Sequence, residues 1–190
     1  KYKRKIKKSR WGFQYYSAAL IAKYFYRHRN ISLIGERLGN TANDSSYHLF
    51  RYANSISCHS KKVSDAEYYY VIKKESMTRS NLSNYKNVVS YGSLKHFIIF
   101  HASQRYIFSD CMRDVFFRWK EIAHHHEHKP LYFLQHGIFA LNRAAGYYDR
   151  NSMDKRKELP NKFIVSSEHE RNLVCKNFGF FKDEVAVTGL

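Results

Sequence analysis

Beyond residue 30, short apolar runs alternate with longer stretches in which apolar residues recur every three or four positions. The runs at 31–35, 67–72, 87–89, 106–108, 131–134, 163–165 and 185–187 are rich in Ile, Val, Phe and Tyr and bounded by polar or Gly-containing segments, which predicts short strands. Helical spacing predicts helices over 45–57, 92–101, 110–126 and 167–178. A strand buried on both faces shows a continuous apolar run rather than alternation, so strands alternating with helices predict βαβ units and a mostly parallel sheet in a three-layer α/β domain. Ser166 and Ser167 offer a hydroxyl cap to the last helix, Glu168 suits its first turn, and Gly179 stands where a left-handed stop is expected.

Before residue 30 the pattern differs. Trp11, Tyr15, Ala18, Ala22 and Phe25 recur at helical spacing behind the basic run Lys1 to Arg10, and residues 1–30 hold ten Lys or Arg and no Asp or Glu. More than half of the formal net charge of +17 therefore sits at the amino end. Two structures fit: an interfacial helix with a basic lead-in, or an ordinary amphipathic helix packed on the domain. The charge attracts polyanions, either an anionic membrane surface or nucleic acid. The uncharged stretch 11–22 is too short and polar for a membrane span. Domain organisation reads as a basic amphipathic helix over 1–30 followed by one α/β domain over 31–190.

Cys58, Cys111 and Cys175 are few and widely spaced, which suggests neither a disulfide framework nor a Cys-based zinc site. The run His124-His125-His126-Glu127-His128 holds consecutive residues that diverge from a helix end, and it reads as a solvated terminus rather than a metal centre. No metal and no cofactor is assigned. Gly92-Ser93 at a predicted helix start could turn N–H groups toward an anion, but no phosphate-loop spacing accompanies it. The most informative stretch is Leu134-Gln135-His136-Gly137, which places an imidazole at the carboxyl end of a predicted strand, where open α/β sheets carry their chemistry.

Several motifs in order resemble the CDP-glycerol glycerophosphotransferases of teichoic acid and capsule synthesis. They are Ile34-Gly35-Glu36-Arg37 and Ala42-Asn43-Asp44-Ser45-Ser46-Tyr47-His48-Leu49-Phe50-Arg51-Tyr52, Gly92-Ser93-Leu94-Lys95-His96, Phe133-Leu134-Gln135-His136-Gly137-Ile138, Phe163-Ile164-Val165-Ser166-Ser167-Glu168, and Val185-Ala186-Val187-Thr188-Gly189-Leu190. The chain departs from the family pattern in Ser45-Ser46, where relatives often have Asn-Gly, and in Ser109-Asp110, where Ser-His is common.

The resemblance implies a Rossmann-like three-layer domain with a mostly parallel sheet. It would be the acceptor-side half of a GT-B architecture, with the donor-binding half beyond residue 190 and no transfer activity from this chain alone. It implies transfer of glycerol phosphate or a related polyol phosphate from a CDP-activated donor to a hydroxyl of a lipid-linked acceptor at the cytoplasmic face of the membrane, releasing CMP. His136 would be the general base, with Arg37, Asp44, Ser45, Tyr47, Gln135, Gly137 and Arg143 as substrate-binding residues. Nucleic acid is a poorer partner, since no RNA-binding motif is present and the basic excess lies outside the predicted sheet. A non-catalytic polymer-, membrane- or nucleic-acid-binding α/β module is the alternative.

Overall fold

The computed structural model describes residues 10–59, 66–137 and 146–189, with side chains given except at 10 and 56–59. Seven strands form one sheet: β1 (Asn30–Gly35), β2 (Ala66–Ile72), β3 (Val88–Ser90), β4 (Ser103–Phe108), β5 (Leu131–Phe133), β6 (Lys162–Val165) and β7 (Val185–Val187). Their order is β3-β2-β1-β4-β5-β6-β7, and every pairing is parallel. Each predicted run is thus a strand. The helices are α1 (Arg10–Phe25), α2 (Ser45–His59), α3 (Leu94–Ala102), α4 (Trp119–Ile122), α5 (Arg150–Lys155) and α6 (Glu168–Phe178).

Alternation along the strands divides the core in two. Leu33, Tyr69, Val71, Tyr106 and Phe108 face one apolar cluster, whereas Ile34, Tyr70, Ile72 and Ile107 face another. The first cluster also takes Tyr15, Ala18 and Ala22 of α1, Phe97 and Phe100 of α3, Trp119 of α4, Met153 of α5 and Val174 of α6. The second is covered by α2 through Phe50. Among the described residues, the helices after β4 all send their buried apolar side chains to the first face. The opposite face of β5 to β7 is left as the floor of a cleft.

One expectation changes here and one open reading is decided. The stretch 110–126 is not one helix but 3-10 turns at Met112–Asp114 and Ala123–His125 flanking the single turn α4. Phe116 and Phe117, stacked 5.2 Å apart, turn the chain there, with Phe116 fully buried against Phe100 at 4.2 Å. The break carries His126 into the core at 4% exposure, so the histidine run is not wholly a solvated terminus; His124 and His128 are exposed. Second, the apolar stripe of α1 is its core face from Trp11 to Ala22, with Tyr15, Ala18 and Ala22 buried and Trp11 packed on them, while Phe25 at its end is exposed. The solvent-facing apolar residues are Phe13, Leu20, Tyr24 and Phe25.

The order reverses between β1 and β4, the place where adjacent loops part and leave a crevice at the carboxyl ends of the strands. Gly35 ends β1 there, and a Cβ on it would stand 2.2 Å from the carbonyl oxygen of Asp114. Only glycine lets the turn after β4 approach this closely.

Candidate active site

The loop leaving β1 is organised by a buried carboxylate. Glu36 is fully buried, and its Oε1 accepts from Thr41 Oγ1 at 3.1 Å, Asn43 N at 2.9 Å and Asp44 N at 3.2 Å, while Oε2 accepts from Tyr47 N at 3.2 Å. Negative charge at the start of α2 satisfies N–H groups that the helix cannot pair and opposes its dipole. Arg37 and Leu38 adopt left-handed φ of 46° and 57°, and Leu38 N donates to Asp114 Oδ1 at 2.8 Å. Asp114 ties the facing loop as well, accepting from Asp110 N at 2.8 Å and Ser109 N at 3.2 Å. Burial pushes its carboxyl up to about 6 despite those donors.

His136 follows β5. Gln135 before it takes the left-handed φ of 52°, unusual for a residue with a side chain, which turns the chain sharply at the sheet edge. The Nδ1 of His136 lies 3.0 Å from the carbonyl oxygen of Ser109 at the end of β4. A carbonyl only accepts, so Nδ1 carries the proton, and in the neutral ring Nε2 holds the lone pair. Tyr148 flanks the imidazole with its ring centroid 6.4 Å away, and its hydroxyl donates to Asp110 Oδ1. Gln135 Nε2 donates to the buried Glu170 Oε2 at 3.2 Å, which also accepts from Ser166 N and Oγ at 2.7 and 2.8 Å. The ends of β4, β5 and β6 are thereby cross-linked around one imidazole.

These elements enclose a cleft of about 840 Å³ between the start of α2 and the carboxyl ends of β5, β6 and β7. Asp44, Ser45, Gln135, His136 and Gly137 line it, so five of the sequence-predicted residues converge. Arg37 stands at its margin, paired with Asp44 at 3.2 Å. Tyr47 is turned aside against the second apolar cluster and the Arg51 guanidinium. Arg143 lies outside the described residues. His48, Tyr52 and Thr188 also line the cleft; they stand within the family-like motifs but not among the residues expected to bind substrate. His48 and Tyr52 sit one turn apart on α2, so helical spacing from Ser45 could have found them.

The structure alters one further expectation. The N–H of Gly92 donates to His96 Nδ1 at 3.0 Å and Ser93 Oγ accepts from His96 N at 3.2 Å, so these groups serve the helix start itself rather than an anion. Among the described residues, Asp110, Cys111 and Asp114 bring potential ligand atoms within 4.8 Å of one another. Burial pushes the Cys111 thiol up to about 12, and Asp114 is occupied by backbone N–H groups, so the trio serves as a loop brace. No helix of the described residues is long and apolar enough to cross a membrane.

The wall teichoic acid polymerase TagF superposes with a TM-score of 0.60 at 11% identity, over 95% of this chain and 43% of that one. A variant of that polymerase soaked with CDPG superposes with a TM-score of 0.55 at 10% identity, covering 92% and 44%. At these identities the likeness shows the fold, a Rossmann-like domain of the GT-B type. In sequence, the chain is 26% identical over 152 residues to the minor teichoic acid biosynthesis protein GgaB of Bacillus subtilis (strain 168), which covers 78% of this chain and 16% of that protein. The chain thus spans less than half of the polymerase structures and about a sixth of the curated relative. The profile of the family described as CDP-Glycerol:Poly(glycerophosphate) glycerophosphotransferase matches residues 21–190. With β1 to β7 and the His136 cleft all inside that match, the chain belongs to the CDP-glycerol:poly(glycerophosphate) glycerophosphotransferase family.

Proposed function

We propose that the full-length protein carrying this chain transfers glycerol phosphate, or a related polyol phosphate, from a CDP-activated donor to a hydroxyl of a lipid-linked acceptor. The acceptor oxygen bonds to the donor's β-phosphorus as the bond from that phosphorus to the bridging oxygen breaks, and CMP leaves. His136 Nε2 takes the hydroxyl proton. The observation that carries this reading is the bond from His136 Nδ1 to the Ser109 carbonyl, which fixes the tautomer with a lone pair on the other nitrogen. Asp44, Ser45, Gln135, Gly137 and, at the margin, Arg37 border the acceptor's path. The donor's nucleotide belongs to a second domain following this one, so this domain alone is inactive.

A lipid-linked acceptor places the enzyme at the cytoplasmic face of the membrane. The basic lead-in and the outer face of α1, with Phe13, Leu20, Tyr24 and Phe25 exposed beside Lys23, suit an anionic surface. The test of the reaction is CMP release from CDP-glycerol by the full-length protein with a lipid-linked acceptor. His136→Ala is expected to lower turnover by about 10²- to 10⁴-fold, the range of general-base contributions. Undiminished turnover in the variant would remove His136 from the mechanism.

A further inference from the structure

A second hollow, about 280 Å³, lies on the outer side of α2 and is lined by His48, Arg51, Tyr52, Ser55 and Tyr85. His48 and Tyr52 are also walls of the His136 cleft, so the two spaces share a rim. Residues 48, 51, 52 and 55 fall on one helical face, and Tyr85 reaches it from the segment before β3, with its ring 5.1 Å from the buried Phe50. Arg51 holds its guanidinium 5.5 Å from the ring centroid of Tyr47, and among the described residues no carboxylate pairs with it. Tyr52 is 64% exposed. A guanidinium with no carboxylate partner, positioned by the Tyr85 and Tyr47 side chains in a hollow that Tyr52 and Tyr85 line, suits an anionic, hydroxylated ligand: the charge meets a phosphate and the rings cover the C–H faces of a polyol or sugar.

We propose that this hollow is a subsite for a phosphodiester-linked stretch of the acceptor, held one repeat back from the hydroxyl that reacts at His136. The proposal rests on the transferase reading and deepens it. A chain leaving the cleft over His48 and Tyr52 meets Arg51 and Ser55 within one helical turn, about 5.4 Å of rise, which is the scale of one phosphodiester repeat. The enzyme then favours an acceptor carrying two or more phosphodiester units over one carrying a single unit.

The test uses the full-length protein with acceptors carrying one unit and about ten units. Arg51→Glu is expected to raise KM for the long acceptor roughly tenfold or more, the size of one charge-assisted contact, with KM for the one-unit acceptor and for the donor unchanged. Arg51→Lys should recover part of the loss, and Ser55→Glu should reproduce it by placing a carboxylate in the hollow. Equal KM in wild type and both charge variants overturns the subsite, and so does a rise shared by the one-unit acceptor or the donor. A parallel measurement separates this from the reaction itself: binding of glycerol phosphate decamers to the His136→Ala protein, with and without Arg51→Glu. Wild type without turnover on any acceptor would defeat the transferase reading, while decamer binding weakened by Arg51→Glu would still uphold the subsite and unchanged binding would overturn it.

Discussion

At the scale of single residues, three positions near the switch point carry distinct demands. Glu36 is fully buried and accepts four hydrogen bonds from the loop that starts α2. Glu36→Ala orphans those donors at once, and a loss of roughly 2–4 kcal/mol is expected in urea unfolding, since each buried group left unpaired is costly. Gly35→Ala meets the Asp114 carbonyl at 2.2 Å, a backbone atom that cannot yield like a flexible side chain. Its expected cost is about 1–3 kcal/mol or more, read from the same denaturation midpoint. His136 differs, because its removal leaves a half-buried loop position and should cost turnover rather than stability. The three can therefore be told apart by measuring stability and CMP release together. The imidazole at the strand end was legible in sequence. Glu36 was not read as an anchor, because nothing in a Gly-Glu-Arg string tells which N–H groups will face the carboxylate.

At the scale of elements, α1 is docked by a buried polar relay. The Tyr15 hydroxyl donates to His126 Nε2 at 2.8 Å, and His126 Nδ1 donates to Tyr106 Oη at 3.1 Å. Tyr106 in turn donates to the Phe100 carbonyl at 2.9 Å and accepts from Lys129 Nζ at 3.2 Å. Tyr15→Phe removes the donor to a buried nitrogen and should lower stability by about 1–3 kcal/mol in urea titration. Burial also holds the imidazoles around α1 and α3 neutral: His96 is lowered to about 4, His101 to about 3 and His126 to about 2, from 6.5. The unfolded chain takes up these protons first, so their stabilisation is complete above pH 6.5 and is lost as pH falls toward the folded values. Asp114 acts oppositely: raised from 3.8 to about 6, it contributes stability present below 3.8 and lost as pH rises through about 6. Glu158, also raised by burial, acts in the same sense as Asp114. Three protons set against these two leave a net loss on acidification between about pH 6 and 4, of the order of 1–3 kcal/mol per pH unit. Thermal midpoints across that window check it; a midpoint that rises on acidification would refute the relay of neutral histidines.

At the scale of the whole molecule, Lys23 and the exposed apolar side chains of α1 face solvent on the helix that follows the basic run of the sequence. Because Tyr15, Ala18 and Ala22 are core residues, deleting the amino end would disturb the fold as well as any surface contact. The informative variant replaces Phe13, Leu20 and Tyr24, all more than half exposed, with Ser. Binding to anionic vesicles is expected to weaken and to remain salt-sensitive, with thermal stability kept within about 0.5 kcal/mol per site, as for other exposed positions. Vesicle binding unchanged from wild type would exclude this face as the membrane contact.

What the sequence determined by itself was the part set by local period and order: seven apolar runs between polar turns admit a parallel sheet, and the motif order carried the family. Strand runs buried on both faces need no partner information to be recognised. What only the tertiary structure decided were the features that depend on direction. The stripe of α1 could face lipid or core with equal periodicity, and the fold turned it inward because His126 and Phe116 supply its partners. The stretch 110–126 has helical spacing, yet packing of Phe116 breaks it. The leading motif became a candidate site only when β4 brought the Ser109 carbonyl to His136 Nδ1, since a tautomer is selected by a neighbour 27 residues away and not by the tetrapeptide that contains it.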